Sequence, residues 1–283
     1  ACLVGSEMCI RDSYYSIIEV NYMNIRNVIA LVKKDLLENS SNLFAPTAMT
    51  VALFFLMLVF LGAITSFFNI IPVVLQFPSW ASKFNVNDQI INPYIGFVAF
   101  LSIIILPIIG AKAFSQEKKL KTIELLLTYP FNEVELVLSK IISTFLIYFI
   151  FLFFALLYLV VFIFFYAVLN KGFIDFGNTW SGFLGLILLV LAIISLSVYI
   201  STLFNDVVPA WVVSLVIVLF LWIIGYMSDL MPINIKNIIT SIALSSNFDN
   251  FSKGVIDLKN VVFFLVFSLF FIYLSVLNLT DRN

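Results

Sequence analysis

From about residue 47 onward, long apolar runs alternate with short polar connectors. Six runs, at about 47–68, 93–111, 141–169, 182–203, 207–227 and 261–279, are each long enough to cross the bilayer. The hydrocarbon core is roughly 30 Å thick and a helix rises about 1.5 Å per residue. The third run exceeds that length and predicts a helix that tilts or projects from the bilayer. The fourth and fifth are separated only by the turn around Asn205 and Asp206. Ahead of the first run, Ile25, Val28, Ile29, Val32 and Leu36 recur at helical spacing with Arg26, Lys33 and Lys34 among them. This pattern predicts an amphipathic helix on the membrane surface, or a short helix packed on the protein itself. Between the fifth and sixth runs, residues 233–244 are apolar but too short to cross, so they predict a re-entrant or interfacial helix. The polar stretch after it, 247–257, reads as a cap on the bundle or as a contact for an extracytoplasmic membrane partner, with Gly254 marking a helix end.

Composition agrees with an all-α polytopic membrane protein. The 283 residues are 63% hydrophobic and only 11% charged, where soluble domains carry about 25% charged residues. Mean hydropathy is +1.13. The net charge of −1 argues against nucleic acid as a partner. The chain has no histidine, which excludes Ser-His-Asp and Cys-His catalysis and every His-ligated metal. Cys2 and Cys9 are the only cysteines, so no disulfide or thiolate site is expected in the core. Residues 1–22 resemble a translated adapter tail rather than a signal peptide, because Glu7, Arg11 and Asp12 interrupt any apolar region. The expected domain is therefore a single transmembrane unit over 23–283, beginning at Met23.

Loop cations orient the chain. An N-in, C-in arrangement places Arg26, Lys33, Lys34, Lys112, Lys118, Lys119, Lys121, Lys140 and Arg282 inside. It leaves Lys83, Lys171, Lys236, Lys253 and Lys259 outside. Trp80, Trp180 and Trp222 then fall near the outer interface and Trp211 near the inner one, as in an aromatic belt.

The apolar run interiors contain no Asp, Glu, Lys or Arg, so no residue there relays a proton or binds a coupling ion by charge. No phosphate-binding GxxxxGK[ST] loop is present. Intramembrane proteolysis would need aspartates within the runs or a histidine, so catalysis by this chain is not expected, nor is any cofactor. A transporter of this kind takes its energy from a partner. The competing classes are a secondary transporter or channel, whose ion would be held by neutral oxygens, and a non-transporting membrane anchor.

Charge gathers instead between the second and third runs. Phe114–Lys140 holds four lysines and four glutamates around a Tyr129-Pro130 break. Glu117 and Lys121 stand at i,i+4 in the favourable order and predict a helix through Leu120, Ile123 and Leu127, which Pro130 ends. A second helix is expected to start at Asn132. Glu135 completes a capping box, Phe131 and Leu136 form a hydrophobic staple, and Glu133 lies at the positive end of the dipole. The whole stretch reads as the main surface the chain offers to the cytosol.

The sequence from Glu117 to Pro130, EKKLKTIELLLTYP, resembles the signature segment E-K-x-x-x-T-[IL]-E-L-L-L-[TS]-x-P of ABC-2 type transporter permeases. The segment NFDNFSKGVIDLKNVVFF resembles the region before the last span in the gliding-motility-associated branch. The resemblance implies a permease subunit paired with an identical or different second permease. It implies an ABC-type ATP-binding subunit docked in the cytosol, in the cytoplasmic membrane of a bacterium. It also implies a cytosolic coupling helix between spans two and three that sits in a groove of the ATPase. The positions carried over for that coupling are Glu117, Lys118, Thr122, Glu124, Leu125, Thr128 and Pro130.

Overall fold

The structure, a computed structural model, describes residues 25–41, 44–76, 86–122, 131–170, 176–228 and 232–280. Residues 1–22, Trp80, Lys83, Lys171 and Arg282, on which sequence expectations rest, lie outside the described residues, as do residues 123–130. The described secondary structure is helical throughout. Helix α1 (Ile25–Ser41) precedes α2 (Phe44–Leu75). A π-helical turn, Asn87–Ile91, leads into α3 (Asn92–Gly110), and α4 (Lys112–Lys119) continues it. Helices α5 (Glu133–Asn170), α6 (Phe176–Leu203) and α7 (Val207–Met227) follow. Two short helices, α8 (Ile233–Ile242) and α9 (Leu244–Ser252), precede the last, α10 (Leu258–Thr280).

Six of these stretches are long and apolar enough to span a membrane: 45–72, 87–119, 133–166, 176–203, 207–227 and 258–280. Each overlaps one of the six apolar runs, and the second and third begin or end well outside theirs in polar sequence. Helix α6 is the axis of the bundle. It packs against α3, α10, α9, α4, α7 and α5, and 72% of its apolar stretch is buried. For α2, α7 and α10 the figure is 22%, so most of their apolar surface faces outward. Lipid tails are as apolar as these side chains, so burial in α6 gains from close packing and internal hydrogen bonds rather than from water release. Ser195, Ser197 and Ser214 show how the buried hydroxyls are satisfied: each donates to a carbonyl three or four residues earlier in its own helix.

Spans two and three are also pinned by polar contacts. Tyr94 Oη donates to the Ala155 carbonyl at 2.7 Å, and Ser102 and Tyr148 share a hydroxyl–hydroxyl bond of the same length. Helix α1 packs on α5 through buried Val28 and Leu31, while Ile25, Ile29 and Leu37 remain exposed. Of the two expectations for this helix, these contacts support the one in which it packs on the protein itself.

The polar stretch expected to cap the bundle or meet a partner is helical in its first half. Residues 244–252 form α9, whose Leu244, Phe248 and Phe251 are buried against α6 and α7. Ala243, extended at φ −69° and ψ 130°, breaks it from α8. Phe251 reaches α6 because Gly185 has no side chain: a Cβ there would lie 2.4 Å from the Phe251 Cβ. Ser181 Oγ donates to the Phe251 carbonyl at 2.9 Å, and Ser245 Oγ to the Trp222 carbonyl at 2.8 Å. Trp222 is buried against Phe248, with ring centroids 5.9 Å apart, whereas Trp180 is exposed.

Candidate functional site

Helix α4 carries the first residues of the charged stretch and stops early. The Lys121 N–H bonds to the Lys118 carbonyl at 3.0 Å, and the Thr122 N–H to the Glu117 carbonyl at 2.9 Å. Lys121 has φ 56°. These are the paired bonds and left-handed residue of a Schellman cap, with lysine where glycine is usual. Helix α4 thus closes at Lys119 without the Glu117–Lys121 pair, and the rest of the helix expected through Leu127 lies outside the described residues. The pair is not made because Glu117 has a stronger set of partners.

Glu117 and Lys140 face each other across the connector between α4 and α5, and Asp35 of α1 completes the group. Lys140 Nζ donates to Glu117 Oε1 at 2.6 Å and to Asp35 Oδ1 at 2.9 Å, while Lys34 Nζ reaches Glu117 Oε1 at 2.8 Å. Asp35, Glu117 and Lys140 are only 4%, 4% and 6% exposed. Lys140 Nζ also stands 5.9 Å from the centre of the Phe114 ring. Pairing offsets a desolvation cost that is several kcal/mol for each ion, so removing any one member leaves an uncompensated buried charge. Among the described residues Asp35 Oδ2 and Glu117 Oε2 have no partner, and a cavity of about 20 Å³ is lined by Asp35, Glu117 and Lys140, room for one water.

The carboxylate oxygens of Asp35, Glu38 and Glu117 lie within 4.8 Å of one another, a spacing compatible with a cation. Here the Lys140 and Lys34 ammonium groups supply that charge, so the group reads as an ionic bridge between helices.

Further contacts surround it. Gln116 Nε2 donates to Glu38 Oε1 and Asn27 Nδ2 to Glu135 Oε2, both at 3.2 Å. Glu135 Oε2 also accepts the Asn132 N–H at 3.4 Å, the half of the capping box in which the glutamate reaches back to the cap. On the other side of α4, Ser201 Oγ accepts the Phe114 N–H at 2.8 Å, and Lys118 Nζ donates to the Thr202 carbonyl. Asn278 Nδ2 donates to Thr202 Oγ1 at 2.8 Å, which joins α10 to the same corner.

Of the seven residues assigned to coupling by resemblance, Glu117 is buried in the bridge, Lys118 is tied to α6 and Thr122 is exposed in the cap. Glu124, Leu125, Thr128 and Pro130 lie outside the described residues. The expectation that this stretch is mainly outward-facing charge is corrected for Glu117, Glu135 and Lys140, which point inward. Sequence reasoning missed Asp35. Its signal was register: Asp35 falls on the helical face of Val28 and Leu31, at i+7 and i+4, which is the face that packs on α5.

A search among curated proteins finds no match. The family description "ABC-2 family transporter protein" matches residues 68–277, roughly three-quarters of the chain and five of its six spans almost to their ends. The chain belongs to the ABC-2 family of transporter proteins.

Proposed function

We propose that this chain is the permease subunit of an ABC exporter, moving its substrate across a bacterial cytoplasmic membrane with ATP hydrolysed by a separate subunit. The observation that carries this reading is the family match over a six-span bundle, together with the segment 117–130 between α4 and α5. Family membership favours it over a secondary transporter or channel, because ABC-2 permeases are membrane subunits and not themselves ATPases. The chain pairs with a second permease, and the loop cations orient it with both termini in the cytosol. In that orientation the bridge and the 117–130 segment stand at the cytosolic face, where the ATPase subunit docks. Closure of the ATPase then presses on Glu124, Leu125, Thr128 and Pro130 and shifts α5. The residues act mechanically, and no bond is made or broken in this chain.

The experiment is purification of the full chain with the products of its neighbouring reading frames. An ATP-binding subunit is expected to co-purify, and Glu124→Lys or Thr128→Trp is expected to weaken its ATP hydrolysis while membrane insertion stays intact. Solute movement by the reconstituted chain without any ATPase would contradict the reading. The resemblance of 247–264 to the gliding-associated branch favours a second reading, an ATPase-driven motility or assembly anchor. It would be recognised by an extracytoplasmic membrane protein retained on the complex and lost on deletion of 247–257.

A further inference from the structure

Helix α1 touches both flanks of the segment that the ATPase is proposed to push. Before the segment it holds Gln116 through Glu38 and Glu117 through Lys34. After the segment it holds Glu135 through Asn27 and Lys140 through Asp35. Lys140 then closes the ring by bonding Glu117 across the segment itself. The partners come from parts of the chain far apart in sequence, and the central three are almost fully buried. Apolar packing adds to the hold, through Val28 and Leu31 on α5. By contrast, Ile25 and Ile29 of α1 are exposed among the described residues.

From this geometry we infer that Asp35, Glu117 and Lys140 are positioning residues that make α1 a second output of the ATPase stroke. The inference rests on the ATPase-driven reading above. A displacement of the 117–130 segment moves its two flanks, and the bridge obliges α1 to move with them. Helix α1 leads into α2 within a few residues, so the stroke reaches span one as well as span three. A neutral contact of the same shape would keep α1 near α5 at rest but would yield under load. A buried ion pair resists separation more strongly, because parting it strands charge away from water.

The test uses the full chain with its ATPase subunit in lipid nanodiscs, with Cys2 and Cys9 replaced by serine. Spin labels are placed at exposed Ile29 on α1, Val134 on α5 and Val208 on α7. Distances are read without nucleotide and with ATP and vanadate. In the native sequence the Ile29–Val134 distribution stays narrow in both states, while Ile29–Val208 shifts by about 2 Å or more on ATP. The variant Asp35→Asn, Glu117→Gln, Lys140→Met removes the charges together and so avoids a stranded ion. In it Ile29–Val134 is expected to broaden about twofold with ATP, as for an element released to local opening, and the Ile29–Val208 shift to vanish. Lys140→Arg, which can still bridge both carboxylates, restores both readings.

If the triple variant keeps a narrow Ile29–Val134 distance and the full Ile29–Val208 shift, the bridge is structural only and the inference is overturned. If the native complex retains its ATPase but Ile29–Val208 does not respond to ATP, α1 is no output of the stroke and the inference is overturned on its own. Failure of the native chain to retain any ATPase fails the parent reading, and the inference with it, before a variant is measured.

Discussion

Helices α4 and α9 stand at opposite ends of the bundle and finish with the same backbone motif, yet they are held by different physics. At α9, the Val255 N–H bonds to the Asn250 carbonyl at 2.9 Å and the Gly254 N–H to that of Phe251 at 3.2 Å. At α4 the equivalent pair runs from Thr122 and Lys121 to Glu117 and Lys118. Beyond the caps the likeness stops. Helix α9 is seated by shape, with Phe251 against Gly185 and Phe248 against Trp222. Helix α4 is seated by charge, through Glu117, Lys140 and Asp35. Shape complementarity has one best fit and loses energy steeply when a helix slides. An ionic bridge can hold separate segments together while the body they form moves as a whole. On the function proposed above, the difference separates a fixed lid at the α9 end from a moving joint at the α4 end.

The largest effect expected is at the charged joint. Lys140→Met leaves Asp35 and Glu117 buried with only the half-exposed Lys34 to offset them, at a cost of about 3 kcal/mol. Thermal unfolding of the detergent-solubilised chain reads this directly. Removing all three charges together should cost much less, and a triple variant as unstable as Lys140→Met would break the distinction drawn between the two ends.

Next comes the sterically seated end. Gly185→Ala puts a methyl 2.4 Å from the Phe251 Cβ and 2.7 Å from its Cγ. Atoms that near the backbone cannot swing aside, so α9 must lift from α6. Overpacking of this kind costs about 1–3 kcal/mol, seen as a lower melting temperature. No change would mean that α9 is loosely seated and that the lid comparison is wrong.

The caps give a smaller and opposite-signed pair. Lys121 at φ 56° carries the left-handed penalty that glycine avoids, so Lys121→Gly should stabilise by about 1 kcal/mol. Gly254 at φ 86° already escapes it. Gly254→Ala should destabilise by at least about 1 kcal/mol, since its Cβ would also meet Asn178 Oδ1 at 3.1 Å. Equal responses at the two sites would show that the caps contribute nothing of their own.

The two ends were also unequally legible in the sequence. The spans were plain, because apolar runs of that length admit little but membrane helices, and Gly254 marked its own cap. The capping glutamate Glu135 followed from its spacing after Asn132. The cap at Lys121 was hidden because lysine is a sound helix former by propensity, and only the pull of Lys34 and Lys140 on Glu117 shows why the i,i+4 pair is not used. Asp35 was hidden for a related reason. A charged residue near other charges reads as solvated, and its partner Lys140 lies over a hundred positions away. In the sequence, 247–257 reads as a cap on the bundle or a partner contact, and helix α9 was not seen because Ser, Asn and Asp outnumber its three buried anchors. Local composition outweighed the period set by Leu244, Phe248 and Phe251, which stand at i, i+4 and i+7 on one face.

The smallest effect probes whether the α9 end is free of electrostatic work. Asp249 lies in the last turn of α9, where the negative end of the helix dipole disfavours a carboxylate. Burial raises its pKa, and Lys253 offsets only part of that rise. Tyr226 faces it from α7 and feels the same charge. The folded chain thus holds the Asp249 proton more tightly than the unfolded chain does, so this group favours folding below its unfolded pKa. That contribution fades as pH rises through the folded value. Asp249→Asn removes the ionisation and should melt slightly higher than the native chain at pH 7, by no more than about 0.5 kcal/mol for a partly exposed site. As pH falls the difference should shrink, because the native carboxyl then takes up a proton of its own. A variant that instead melts lower at pH 7 would show that Asp249 and Lys253 form a useful pair, and that charge helps to seat this end too.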